Sequence, residues 1–120
     1  MKNVRTMTGV DFARFCILGE QVPPDGLTIT GDVVIEGFGE NQKLFLDGLD
    51  LKKVIIGGKV RVCNAVFSSD LDLGQCQING SLVIENVIVE GNLTMPVNSP
   101  GFIFSLRNIE CHGSIQFSAS

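Results

Sequence analysis

The sequence is poor in the residue types that most often carry chemistry. Tryptophan and tyrosine are absent, so sugars cannot stack on the usual aromatic platforms. The single histidine, His112, has no serine, aspartate or cysteine arranged around it in a catalytic pattern. These absences predict a protein that is not an enzyme, with no catalytic residue and no cofactor.

Basic charge is also scarce. Lysine and arginine number 9 against 13 acidic residues, and Lys52-Lys53 is the only adjacent basic pair. Without a basic stripe the chain cannot release counterions from a phosphate backbone, so we expect no direct nucleic-acid binding. No apolar run of 18 residues occurs, which predicts no membrane span. The start is a poor signal peptide, because Asp11 and Arg14 interrupt its apolar stretch.

The four cysteines lack the spacing of a metal site. Cys16, Cys63, Cys76 and Cys111 form no CxxC pair, and His112 is the only histidine near any of them. We therefore expect reduced thiols in a cytoplasmic protein, without a metal or a disulfide. With 44% apolar and 18% charged residues over 120 positions, the chain should fold as one domain.

What the sequence does contain is a repeat with a period of 11. Residues 78 to 95, INGSLVIENVIVEGNLTM, state it twice, once around Leu82 and once around Leu93. When Leu82 is position 1, positions 1 and 3 are apolar in seven repeats out of seven, and positions 6 and 8 are apolar or small in most. Apolar residues that alternate with a period of two, and the short spacers between them, predict short strands separated by bends.

Strands that follow one another at constant spacing stack in parallel, which makes a β-solenoid. Eleven residues cannot surround a core, whereas about 22 residues give a coil with four short strands. The sequence therefore predicts an all-β fold, a single-stranded parallel β-helix with about 22 residues per coil. A triangular coil of about 16 or 17 residues is the competing geometry.

Asparagines support the longer coil. Asn64, Asn86 and Asn108 recur at intervals of 22 at position 5. In a 22-residue coil they form one column, where they could make a hydrogen-bonded ladder and adopt the left-handed bend that most residues resist. The triangular coil would misalign that column.

The repeat also predicts how the domain, residues 1–120, is organised. We expect a cap helix within residues 1–20, with Thr8 as its N-cap, and solenoid coils over 26–120. The alternative for the helix is that it binds a partner. Because the first coil is out of register, residues 37–42 are a predicted loop.

A second loop is predicted at 95–101, where Pro96 and Pro100 remove strand hydrogen bonds. The repeat is still running at Ser120. Either the protein is longer, or this end meets another molecule.

The outward positions supply the candidate functional residues. The interface candidates are the aliphatic residues that fall outside the core columns: Val66, Ile88, Ile55, Val83 and Val97. Val66 and Ile88 should be neighbours on successive coils, where they form an interface or the docking place of the cap helix. Asp50 and Asp72 should also be neighbours, with Asp70 on the same surface, which makes an acidic site of low probability.

The pattern in LDLGQCQINGSLVIENVIVEGN, residues 71–92, resembles the 11-residue bacterial relatives of pentapeptide-repeat solenoids. It is also similar to bactofilin-type β-helices, which form polymers. The resemblance covers about residues 44 to 120 and implies the architecture. The chain departs from true pentapeptide repeats in its alternating steps of five and six residues, so no functional residue carries over.

Three functions are compatible with the sequence. The first is a non-enzymatic scaffold that self-associates or binds a protein partner. The second is an acidic module that binds or inhibits a nucleic-acid enzyme by mimicking a polyanion, as the resemblance implies. The third is a carbohydrate-active β-helix, for which Asp50, Asp70 and Asp72 would have to converge in a groove.

Overall fold

The computed structural model describes residues 6–18, 27–39, 41–51, 54–74, 76–96 and 103–117. Within these ranges it contains one helix, α1 (Gly9–Ile17), and thirteen strands. The strands are β1 (Thr6–Thr8), β2 (Leu27–Thr30), β3 (Val33–Glu36), β4 (Leu44–Leu46), β5 (Leu49–Asp50), β6 (Val54–Ile56), β7 (Val60–Phe67), β8 (Leu71–Asp72), β9 (Gln77–Ile78), β10 (Leu82–Val89), β11 (Leu93–Met95), β12 (Phe104–Cys111) and β13 (Ile115–Phe117).

The strands stack in parallel in three sheets. The sheets have the orders β1-β2-β6-β9, β3-β7-β10-β12 with β4 also beside β7, and β5-β8-β11-β13. The chain returns to each sheet one coil later, and Val60, Leu82 and Phe104 are partners at intervals of 22. The predicted β-solenoid with 22-residue coils is confirmed, and this register excludes the triangular coil.

The apolar columns of the repeat point into the solenoid. Leu71, Leu82 and Leu93, all at position 1, are 0% exposed, and so are Ile84 and Val87 at positions 3 and 6. Each aliphatic side chain that is fully buried contributes about 1.5–3 kcal/mol. No charged or polar residue among the described residues is buried with them. The core therefore depends on contacts between successive coils, as is typical of solenoids.

Asparagine bends each of the three long strands. Asn64, Asn86 and Asn108 have φ angles of 52°, 55° and 52°. They divide β7, β10 and β12 into halves that form two sides of the coil. The two short strands predicted at these places are thus one strand of eight residues with a left-handed residue inside it, a conformation that asparagine tolerates better than most residues.

The predicted asparagine ladder is present in part. Asn108 Nδ2 donates a hydrogen bond to Asn86 Oδ1 at 2.9 Å. Asn64 Oδ1 is buried, and no donor in the described part of the chain bonds to it. The ladder therefore joins the last two long strands and is interrupted at the first.

The irregular first coil contains an insertion at one corner. Val33 pairs with Val60 at an interval of 27, whereas Leu44 pairs with Ala65 at an interval of only 21. The extra residues lie between β3 and β4, where the later coils turn with a single asparagine. Backbone hydrogen bonds between residues 38 and 42 and between 42 and 39 close this segment. Apart from Glu40, which lies outside the described residues, the loop predicted at residues 37–42 is confirmed.

Helix α1 covers the N-terminal coil. The Oγ1 atom of Thr8 accepts a hydrogen bond from the backbone N–H of Asp11 at 3.2 Å, which confirms the predicted N-cap. Phe12 and Cys16 are buried where α1 packs against β1, β2 and β3. A Cβ atom at Gly9 would overlap the carbonyl oxygen of Asp32, so only glycine allows the helix to start this close to the coil. With nine residues α1 is too short to cross a bilayer, and no other helix in the described ranges is a candidate.

Candidate interaction surfaces

An apolar row crosses one side of the solenoid. Val66 pairs with Ile88 on the next coil, as predicted, and with Phe45 on the previous coil. Phe45 is 76% exposed, and the other two are half-buried. The row ends toward the C-terminus at Glu110, the next partner of Ile88. Three apolar residues on successive coils, which we call the apolar row, thus share one surface.

The structure gives the apolar row no cover from α1. The helix packs against β1, β2 and β3, whereas the row lies on β4, β7 and β10. The sequence interpretation missed Phe45, although its place between the apolar residues Leu44 and Leu46 was the signal for an outward side chain. The row stays a prediction as an interface.

The other interface candidates do not join the row. Ile55 is 41% exposed but lies on β6, in a different sheet. Val83 lies in the first half of β10, before the bend, and its partner on the previous coil is Arg61. Val97 lies outside the described residues. Of the four candidates that the structure describes, it brings together only Val66 and Ile88.

Two residues of the predicted acidic site are neighbours on adjacent coils, but two of its three carboxylates accept hydrogen bonds from the backbone. Asp50 and Asp72 are partners on adjacent coils, as predicted. Asp72 Oδ1 accepts a hydrogen bond from the backbone N–H of Gly74 at 2.8 Å. Asp70 Oδ1 accepts one from the N–H of Asn92, also at 2.8 Å. Asp72 therefore stabilises its own turn, and Asp70 links its coil to the next one. Both positions are explained by these structural roles, and no ligand is needed to explain them.

Side-chain oxygens link one coil to the next at other turns as well. Asp32 Oδ1 accepts a hydrogen bond from the N–H of Lys59 at 2.8 Å. Asn92 Oδ1 accepts one from the N–H of Ser114 at 2.9 Å. The sequence interpretation missed these links between coils. Asp32, Asp70 and Asn92 are not all of one residue type, and what they share is only their position directly before a strand.

His112 is held between two glutamates. Its Nδ1 atom lies 2.7 Å from Glu90 Oε1, one coil earlier, and its Nε2 atom lies 2.6 Å from Glu110 Oε2, on its own coil. The hydrogen bond with Glu110 and the charge of Glu90 raise the pKa of His112 above its ordinary value. Both ring nitrogens are engaged in separate ion pairs, so the residue acts as a clamp between the last two coils. Within the described residues, no group of three His, Cys, Asp or Glu is placed to hold a metal ion.

Stability should decline as His112 loses its proton. Because the folded-state pKa is raised above 6.5, the clamp is fully stabilising below about pH 6.5 and is lost as the pH rises through the raised pKa. The Tm should therefore fall between about pH 6 and about pH 9 more steeply for the natural chain than for His112→Gln, which cannot take up the charge. Calorimetry of both chains over this range measures the difference, and equal slopes would contradict the clamp.

The C-terminal coil is built like the others, but two of its inward side chains are exposed and three more are only half-buried. Phe104 is 40% and Ile115 is 49% exposed, whereas Leu82 and Leu93, one coil earlier in the same columns, are 0% exposed. Among the described strands, β12 and β13 each have a neighbour on one side only. Such an edge offers backbone N–H and C=O groups to a further strand.

The cysteines are free thiols. Burial raises the pKa of Cys16 and of Cys76 to about 12. Cys63 is buried as well, and Cys111 is half-buried in the C-terminal coil. Since the thiolate is the reactive form, Cys16 and Cys76 are inert core residues at neutral pH.

These features define the class of the protein. It is a parallel β-solenoid with a helical cap on its N-terminal coil and exposed core positions on its C-terminal coil. No protein-family model, no curated protein and no solved structure matches the chain.

Proposed function

We propose that this protein is a non-enzymatic structural protein, a β-solenoid scaffold that associates with other copies of itself through its C-terminal coil. The observation that carries the proposal is the exposure of Phe104 and Ile115, at positions that are buried in the preceding coils. In those coils the cover is another coil of the same cross-section. A further copy of the chain offers a surface of this kind.

Further observations support a scaffold. Two of the three candidate acidic residues are engaged with backbone amides, which leaves little for a reaction to use. The resemblance to polymer-forming β-helices agrees with self-association. Cytoplasmic localisation belongs to the proposal, and the buried free thiols support it.

The second candidate function is binding of a different protein. The apolar row would be the surface that contacts this partner. An exposed aromatic side chain beside two aliphatic ones is a common anchor in interfaces. The polyanion mimic and the carbohydrate-active enzyme have less support. The column of Asp50 and Asp72 continues as Thr94 and then Gln116, so its acidic part covers two coils.

Self-association should appear as a molecular mass that rises with concentration. Sedimentation equilibrium of the 120-residue chain should show monomers at low concentration and larger species at high concentration. Ile115→Glu should shift the chain toward monomer, because it adds a charge to a surface that becomes buried. Since Ile115 is 49% exposed, the monomer should tolerate the change.

The matched control is Val34→Glu. Val34 is 44% exposed and lies on β3, at the other end of the solenoid, so this variant should associate like the natural chain. A natural chain that is still monomeric at about 1 mM would refute the proposal, since even a contact of about −4 kcal/mol is half-saturated there. Equal effects of the two substitutions would refute the C-terminal coil as the contact.

A further inference from the structure

The two ends of the solenoid are not equivalent. At the N-terminal end α1 lies over β2 and β3, and the close approach of Gly9 to Asp32 fixes it there. At the C-terminal end, the inward side chains of Phe104 and Ile115 are exposed, and those of Leu106, Ile109 and Cys111 are half-buried. The C-terminal coil of one copy therefore cannot stack on the N-terminal coil of another while α1 is in place. Its counterpart in a second copy is the same coil, which requires a two-fold arrangement.

Strand β12 has the symmetry that a two-fold contact needs. Its four inward residues are Phe104, Leu106, Ile109 and Cys111. Because the bend at Asn108 shifts the alternation by one residue, these four are placed symmetrically about the peptide bond between Arg107 and Asn108. A two-fold axis through that point exchanges the two halves of β12, which form the two sides of one corner.

In this antiparallel register, apolar side chains meet apolar side chains. Leu106 lies opposite the partner's Ile109, and Phe104 lies opposite the partner's Cys111. The outward residues are compatible as well, because Arg107 faces the partner's Asn108 and Ser105 faces the partner's Glu110. Arg107 can keep its own ion pair with Glu85, at 3.6 Å. A register shifted by two residues would instead place Phe104 opposite Gly113.

We infer that two copies of this chain pair through their C-terminal coils about a two-fold axis, with β12 antiparallel to β12 and the register centred between Arg107 and Asn108. The inference rests on the proposed function and specifies its partner and geometry. The pairing satisfies the open backbone edge of both coils by strand addition. Helix α1 lies over β2 and β3 at the outer end of each copy, away from the contact.

A disulfide across the contact tests the register. Phe104→Cys should place a new thiol opposite the partner's Cys111, and partners in antiparallel strands have Cα atoms about 4.5–5.5 Å apart, within the range of a disulfide. With oxidised glutathione as the oxidant, the chain should shift from 12.9 kDa to twice that mass on a non-reducing gel. The matched control is Leu106→Cys. Its new thiol faces the partner's Ile109, so this variant should run at the mass of one chain.

The outcomes separate the geometry from the proposed function. A natural chain that never associates refutes the proposed function and this inference with it. A chain that associates, but whose Phe104→Cys variant does not cross-link, refutes this register alone, and a cross-link in Leu106→Cys indicates the shifted one.

Hydrogen exchange of the unsubstituted chain is the second measurement, and it does not depend on how the variants fold. Amides of residues 105–111 should exchange more slowly as the concentration rises, while those of β7 should not change. Equal behaviour of both strands would also overturn the inference.

Discussion

Replacing Phe67 with alanine should lower the free energy of unfolding by about 3–5 kcal/mol. Phe67 is 0% exposed on β7, between the coil of Leu46 and the coil of Val89. The loss includes the transfer of the ring out of water and the cavity that remains between three coils. Because a domain is stable by only about 5–15 kcal/mol, urea denaturation should show a large decrease in the midpoint at unchanged slope.

Phe45→Ala is the control with the same chemical change. Phe45 is 76% exposed and lies one coil earlier, next to the strand half that holds Phe67. Surface substitutions of this kind usually change stability by less than about 0.5 kcal/mol. Comparable losses in the two variants would mean that Phe45 is covered in solution, which would contradict its place in an exposed apolar row.

Asn86→Ala should cost about 2–3 kcal/mol, the next largest effect. The φ of Asn86 is 55°, and this left-handed conformation costs an ordinary residue about 1–2 kcal/mol. The substitution also removes the acceptor of the 2.9 Å hydrogen bond from Asn108, which is worth about 0.5–1.5 kcal/mol. Equilibrium unfolding in urea measures the sum.

Asn86→Gly separates the two contributions. Glycine adopts positive φ readily but makes no side-chain hydrogen bond, so Asn86→Gly should be more stable than Asn86→Ala. At Thr94, in a strand of ordinary conformation, the order should be the usual one, with alanine better than glycine by about 0.5–1 kcal/mol. The usual order at both positions would contradict the left-handed bend at Asn86.

Both predictions concern features that the sequence pattern reveals. Phe67 is a core residue by its position in the repeat, and Asn86 is a bend residue by its interval of 22 from Asn64 and Asn108. Alternation of inward and outward side chains is a local property of an extended backbone, so it is visible in the order of residues alone. The same pattern favours the coil length of 22, because residues of one column must stack, and the strand register confirms it.

The surfaces required more than the pattern. Phe45 joins Val66 at an interval of 21 instead of 22, because the turn between β4 and β5 is one residue shorter than the turn between β7 and β8. The repeat pattern alone does not give the length of each turn, so it does not give the size of such a shift. The sequence also placed Ile55 and Val83 among the interface candidates because they fall outside the core columns, although the structure puts them on other sides of the solenoid than Val66 and Ile88.

The sequence by itself determined the class of fold and the inward columns, and it favoured the 22-residue coil and the helical cap, because each follows from local alternation, stacking or capping. Only the tertiary structure decided that His112 lies between Glu90 and Glu110, and that Asp70 and Asp72 bind backbone amides. It also decided that the N-terminal coil is covered while core positions of the C-terminal coil reach solvent. These features depend on which side-chain atoms meet across coils, and the geometry of bends and loops sets that.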